Sequence, residues 1–181
     1  LRSDKIKRVL FLLHRQHNIS RALPFYSPLF LSLEAQCREQ DIALSFLATG
    51  PGDPLAEQVL RHQPDAMICA GFFEPELLAM LEQLKLPLVL VDLWSPGLPC
   101  INPDNVQGGY LATRHLLAQG RQRIAFLAST LAHYSIRQRE QGYRQALYEA
   151  RRLMPPEYEA IALPQLDTEQ ALVCAINGLF D

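Results

Sequence analysis

The chain has 181 residues, of which 49% are hydrophobic, 20% charged and 8% aromatic, and its formal net charge is −2. This is ordinary globular composition, which excludes a disordered, collagen-like or disulfide-dense chain. The balance is slightly acidic and offers no basic stripe for gripping phosphates, so any contact with nucleic acid falls to another segment.

The cysteines at 37, 69, 100 and 174 are widely spaced, form no CxxC pair and sit in apolar stretches. They read as reduced, buried thiols of a reducing compartment. Residues 1–8 are polar and basic, and the apolar run that follows, Val9 to Leu13, is ended by His14-Arg15-Gln16-His17. That run is too short for a membrane span or for the apolar core of a signal peptide. The expectation is a soluble cytoplasmic protein with no membrane partner.

In chain order, short apolar runs alternate with amphipathic segments. Residues 8–14, 42–48, 66–70, 88–91 and 123–128 read as buried strands bounded by glycine, proline or charge. Between them, Leu29, Leu33 and Cys37, then Leu55, Val59 and Leu60, then Leu77, Leu78, Leu81 and Leu84 recur at helical spacing. Tyr110, Leu111, Leu116 and Leu117, and later Ile136, Tyr143, Ala146 and Leu147, supply two more helices. This cadence predicts right-handed βαβ units and a parallel sheet covered on both faces, an α/β fold.

The punctuation agrees. Asp53 is a candidate N-cap before Pro54, Gln63-Pro64 ends the second helix, Asp104-Asn105 caps the fourth, and Gly120 sits where a left-handed stop costs least. A weaker strand at 158–163 and a last helix from Asp167 or Thr168 leave a second sheet unfinished, so the sequence reads as a fragment.

Enzyme signatures are scarce. Gly50-Pro51-Gly52 lacks a third glycine and loses an amide donor to proline, and neither a GxxxxGK[ST] loop nor a GxSxG elbow is present. His14 and His17 have HxxH spacing without a nearby Cys or Glu and read as a strand terminus and a loop; no metal or cofactor is expected. Glu74, Glu76 and Glu82 read as the solvated face of a leucine-rich helix.

Three constellations fall past the carboxyl ends of strands, where open parallel sheets bind ligands. Phe25 and Tyr26 offer flat apolar surface for a sugar or base, or else staple their helix. Asp92 ends the fourth strand, with Trp94 either beside the ligand or covering the sheet. Ser135, Arg137 and Arg139 open the helix after the strand at 123–128. Cations are disfavoured at a helix start, and a guanidinium fork suits the hydroxyl, carbonyl or carboxylate of a small ligand; the arginines could equally be solvent-exposed surface.

Three motifs recur here in order: Asp104-Asn105-x-x-Gly108-Gly109-x-x-Ala112-x-x-His115-Leu116, then Gly120-x-x-Arg123-Ile124-Ala125-Phe126-Leu127, then Arg137-x-Arg139-x-x-Gly142-Tyr143. With them the chain resembles the effector-binding core of the LacI/GalR family of transcription regulators, a periplasmic-binding-protein-like fold. The likeness is strongest over residues 88–147. It implies a hinge remnant at 1–8, an N-terminal subdomain at 9–120 and the first part of a C-terminal one at 121–181.

It further implies a small effector, of sugar or nucleobase class, bound between the subdomains. Phe25 and Tyr26 would contribute from one lobe, with Arg137 on the family's effector-binding arginine and Arg139 as a second candidate. Operator DNA would be bound by a homodimer through a helix-turn-helix that these residues do not contain. Two departures stand out: Gly120-Arg121 replaces the family's GH, and the loop from Arg15 to Leu23 is longer and more basic than its usual Asp-x-x-Asn-Pro turn. The alternatives are a periplasmic solute-binding protein of the same fold, disfavoured by the absent leader pattern and the four cysteines, and a flavodoxin-like enzyme, disfavoured by the missing catalytic motifs.

Overall fold

The structure is a computed structural model that describes residues 5–15, 23–50, 52–128, 131–152, 155–161 and 168–179. The chain divides into two compact units, Leu1–Ile101 and Asn102–Asp181. The division falls before the fourth helix.

Unit 1 holds β1 (Arg8–His14), α1 (Leu23–Glu39), β2 (Ala43–Thr49), α2 (Leu55–His62), β3 (Ala66–Ala70), α3 (Pro75–Gln83), β4 (Leu88–Val91) and the two-residue β5 (Cys100–Ile101). The strands form one parallel sheet in the order β2-β1-β3-β4-β5. Because β1 is flanked by β2 on one side and β3 on the other, the chain reverses direction across the sheet there, with α1 on one face and α2 and α3 on the other.

The packing follows from the period-2 alternation of β1. Leu10 and Leu12 face Leu55 and Val59 of α2 and Leu78 and Leu81 of α3. Phe11 and Leu13 face Tyr26, Leu29, Phe30 and Leu33 of α1. Val9 to His14 are all buried, so β1 is a continuous apolar run because both of its faces are covered. Each such leucine contributes roughly 1.5–3 kcal/mol relative to exposure.

Unit 2 holds α4 (Asn105–Ala118), β6 (Phe126–Ala128), α5 (Tyr134–Glu149), a 3₁₀ turn (Pro156–Tyr158), β7 (Glu159–Ile161) and α6 (Thr168–Asn177). β6 and β7 pair in parallel around the α5 crossover. Ile124, Tyr143 and Leu147 form the buried centre, with Leu117 and Phe126 packed against it. The Tyr143 hydroxyl donates to the Ile124 carbonyl at 2.8 Å, and burial pushes its pKa up to about 12.

Most of the expected punctuation is present. Asp104 accepts from the Gln107 amide at 2.8 Å as an N-cap, Gln63 ends α2 with a left-handed φ of 48°, and Gly120 follows α4 at φ 77°. Asp53 differs from expectation. Its carboxylate accepts from the Arg15 guanidinium at 2.7 and 2.9 Å and from the Gly50 amide at 3.0 Å, and no side chain caps α2. The expected strand at 123–128 shortens to Phe126–Ala128, and β5 was not anticipated from its two residues. Asp167, Phe180 and Asp181 lie outside the described residues, as do Ala162 and Leu163 of the expected last strand.

Candidate functional site

The buried polar side chains of unit 1 gather at the carboxyl edge of its sheet: His14 closes β1, Thr49 closes β2 and Asp92 follows β4. Arg8 and Ser45, the other polar strand residues of unit 1, are not buried. Burying a polar side chain is unfavourable unless its partners are supplied, so this concentration at one edge marks it out.

Tyr26 and Asp92 meet there across 66 positions of sequence. The Tyr26 hydroxyl donates to Asp92 Oδ2 at 2.8 Å, with Tyr26 3% and Asp92 7% exposed. Asp92 itself stands at φ 56°, a left-handed conformation aspartate tolerates better than most residues, and its amide donates to the Ile101 carbonyl at 3.2 Å. Phe25 packs edge-on against Tyr26, with ring centroids 4.9 Å apart, yet remains 60% exposed. Trp94 is 51% exposed. The two expected aromatics of α1 therefore play different parts: Tyr26 is a buried strut for Asp92, and Phe25 is open apolar surface.

Sequence reasoning missed a second pair at the same edge. His14 is fully buried, its ring set edge-on to Phe72 and Phe73, and its Nε2 lies 3.1 Å from Glu74 Oε2. Glu74 thus corrects the reading of a solvated face, because the turn after β3 folds its carboxylate back onto the end of β1. The available signal was a histidine closing an otherwise apolar strand. In the sheet register Thr49 is the direct neighbour of His14, and its fully buried hydroxyl has no hydrogen-bond partner among the described residues. His17 lies outside the described residues, among which no cluster of three or more metal-ligating side chains occurs.

In unit 2, the first and third of the sequence motifs are brought into contact. Gly109 of α4 and Gly142 of α5 lie at the helix crossing. A Cβ at 109 would sit 2.1 Å from the Arg139 carbonyl oxygen, and one at 142 would sit 2.0 Å from that of Val106. Only glycine permits this approach. It sets Asn105, whose Oδ1 accepts from Arg139 Nε at 2.9 Å while its Nδ2 donates to the Pro103 carbonyl at 3.2 Å.

Arg139 is exposed apart from that tether, and Arg137, two residues earlier, is exposed with its amide donating to the His133 carbonyl. Ser135 is 3% exposed, with its hydroxyl 2.9 Å from His133 Nδ1. Ser135 is therefore turned into the helix start. Of the three α5 residues, the arginines are the ones left open to solvent.

Residues 7–180 match the family described as periplasmic binding proteins and sugar binding domain of LacI family. The chain belongs to this family. Among its LacI-family relatives, the PurR transcriptional repressor of Mannheimia succiniciproducens is 29% identical over 149 residues, covering 75% of this chain and 43% of that protein. The Escherichia coli ribose operon repressor is 30% identical over 146 residues, covering 75% of this chain and 44% of the repressor.

The chain thus spans less than half the length of these relatives. Among solved structures, the transcriptional regulator CelR in complex with cellobiose superposes with a TM-score of 0.79 at 24% identity, over 97% of this chain and 56% of that one. The regulator CcpA of Lactococcus lactis gives 0.79 at 18% identity, over 96% and 65% respectively. At these identities the structural likenesses establish the α/β periplasmic-binding-protein-like fold. No helix among the described residues is long and apolar enough to cross a membrane.

Proposed function

We propose that these residues form the effector-sensing part of a cytoplasmic LacI-type transcription regulator. By the family resemblance it binds a small polar ligand, for which Phe25, Tyr26, Asp92 and Trp94 of unit 1 and Arg137 and Arg139 of unit 2 are the candidate contacts. Ser135 orders the start of α5. The ligand undergoes no chemistry: it biases operator binding by a homodimer through its differential affinity for two conformational states. DNA is gripped by a helix-turn-helix outside these residues, consistent with the net charge of −2 here.

The observation that carries this reading is the pairing of a buried tyrosine with Asp92 at the carboxyl edge of a switched parallel sheet, within a chain of this family. The relatives that are named repressors favour a regulator over a solute carrier of the same fold. Arg139, with Nε fixed on Asn105, keeps its terminal nitrogens for a ligand oxygen; Arg137 offers a second fork.

The test is a thermal-shift panel of D-ribose, D-galactose, cellobiose, adenine and hypoxanthine on the full-length protein, since a ligand of the native state raises its stability. Operator binding with and without the stabilising compound follows. Arg137→Ala and Arg139→Ala are expected to abolish the effector response while leaving operator binding intact. Stabilisation by no panel member, or an unaltered response in both variants, overturns the assignment.

A further inference from the structure

On the amino edge of the unit 1 sheet, three loops converge on Lys7 and Arg8, where the chain enters β1. Asp65, just before β3, accepts from the Lys7 amide and from the Arg8 amide on the same oxygen, Oδ2, at 2.9 Å each. Its own amide donates to the Arg8 carbonyl at 2.8 Å. Gln63, at the end of α2, accepts from the Arg8 guanidinium at 3.0 Å, and Asp41, in the turn after α1, pairs with the Lys7 ammonium at 3.2 Å. The Lys7 carbonyl accepts from the Ala43 amide at 2.8 Å.

The shared oxygen decides the local path of the chain. Successive amides of an extended strand point to opposite sides, one toward each neighbouring strand. Two that meet on one oxygen cannot belong to a straight strand, so the backbone turns at Lys7 and Asp65 holds the corner. The β1–β3 register begins only at Val9 opposite Ala66, so the amides of residues 7 and 8 lie beyond it. The Asp65 carboxylate stands in for that pairing and carries the order of the sheet past β1, onto a stretch where residues 5–8 are all exposed. Chain entries of this kind usually fray unless tied down, and a charged clamp on backbone amides ties this one.

We propose that Asp65 is the positioning residue for the chain entering unit 1: it fixes the direction of the segment that precedes Lys7, and through it the DNA-binding part of the regulator, relative to the unit 1 sheet. This rests on the regulator reading above and goes beyond it, since no ligand contact is involved. The physical gain is preorganisation. A DNA-binding segment on a fixed corner loses less orientational freedom on docking than one on a loose tether, so operator affinity carries the difference. From the corner, β1 runs seven residues, buried from Val9 onward, to His14 at the carboxyl edge, about 20 Å away. The corner is therefore continuous with the strand that ends beside the candidate ligand contacts of unit 1.

The experiment measures DNA affinity of the full-length protein by anisotropy titration, on the duplex that wild type enriches most from a random-sequence pool. Asp65→Ala removes the acceptor. Asp65→Glu keeps the charge but carries it one methylene past the two amides, and Asp65→Asn removes the charge but keeps an acceptor oxygen in place. Asp41→Asn removes an equal charge from the neighbouring turn without touching those amides, and asparagine tolerates the φ of 56° there. Asp65→Ala and Asp65→Glu are expected to bind the duplex about 10-fold more weakly, the order of one charge-assisted hydrogen bond, while Asp65→Asn and Asp41→Asn stay within about threefold of wild type.

By charge alone, removing a carboxylate strengthens binding to phosphates, and does so alike in Asp65→Ala, Asp65→Asn and Asp41→Asn. Amide exchange at Lys7 and Arg8 is expected to rise in Asp65→Ala while Val9 to Leu13 keep their protection, which a general loss of stability would not give. Should Asp65→Ala not fold by thermal melt, Asp65→Glu carries the same test. Affinity unchanged in Asp65→Ala and Asp65→Glu overturns the proposal and leaves the regulator standing, as does equal weakening in Asp65→Ala and Asp65→Asn. Wild type that enriches no duplex overturns the regulator reading and this inference with it.

Discussion

Gly142→Ala sets two calculable effects against each other. Alanine in place of glycine inside a helix stabilises by roughly 0.5–1 kcal/mol through backbone entropy. Against this, the new Cβ would lie 2.0 Å from the Val106 carbonyl oxygen and 2.6 Å from the Tyr110 amide nitrogen, both backbone atoms of α4. Backbone cannot step aside as a side chain can, so α4 and α5 must separate by about 1 Å, and overpacking of this kind costs roughly 1–3 kcal/mol or more.

The separation also loosens Tyr143, next in sequence and central to the Ile124–Tyr143–Leu147 core. We expect net destabilisation of unit 2 by about 1–3 kcal/mol, the larger overpacking penalty outweighing the propensity gain. The measurement is amide hydrogen exchange over Asn105–Ala118 and Tyr134–Glu149, together with urea unfolding. Gly109→Ala acts at the same crossing, 2.1 Å from the Arg139 carbonyl oxygen, so the double variant should fall short of the sum of the two. Slower exchange in both helices of Gly142→Ala, or an unchanged unfolding midpoint, would refute the reasoning.

Tyr26→Phe removes the donor to Asp92 Oδ2 at 2.8 Å while keeping the ring, and should cost about 1–3 kcal/mol in a urea titration, whereas Phe25→Ala, at a 60% exposed position, should cost well under that and weaken effector binding instead. Tyr143, with its pKa raised from 10.0 to about 12, stays protonated in the folded protein after the unfolded chain has begun to ionise. Its stabilisation is therefore complete below pH 10 and lost as pH rises toward about 12; Tyr143→Phe should flatten that part of the stability profile, followed by thermal melts across the range. Arg15→Ala breaks the contact with Asp53, but the guanidinium is 52% exposed, so a stability change within about 1 kcal/mol is expected by the same melts.

The sequence by itself determined the fold class, because hydrophobic period is a local property. Val9 to Leu13 reads as a buried strand from its own residues, and Gly120, Gln63 and Asp104 mark helix ends through conformational preferences that need no partner. It also placed Phe25, Tyr26, Asp92, Arg137 and Arg139 past strand ends, since strand ends are themselves legible. The ordered motifs carried the family likeness, though not the reason for their glycines, which lies in one helix crossing the other.

Only the tertiary structure decided what depends on groups far apart in sequence. Tyr26 is buried and Phe25 exposed because Asp92, 66 residues away, takes the tyrosine hydroxyl. Glu74 looks solvated beside Glu76 and Glu82 until β1 delivers His14 to it. The division after Ile101 keeps α4 and α5 in one unit, where they pack through Gly109 and Gly142, a contact no local pattern encodes. Periodicity says which face of an element is buried; what it is buried against, and hence which polar groups meet at the sheet's edge, is fixed by the register and order of the strands.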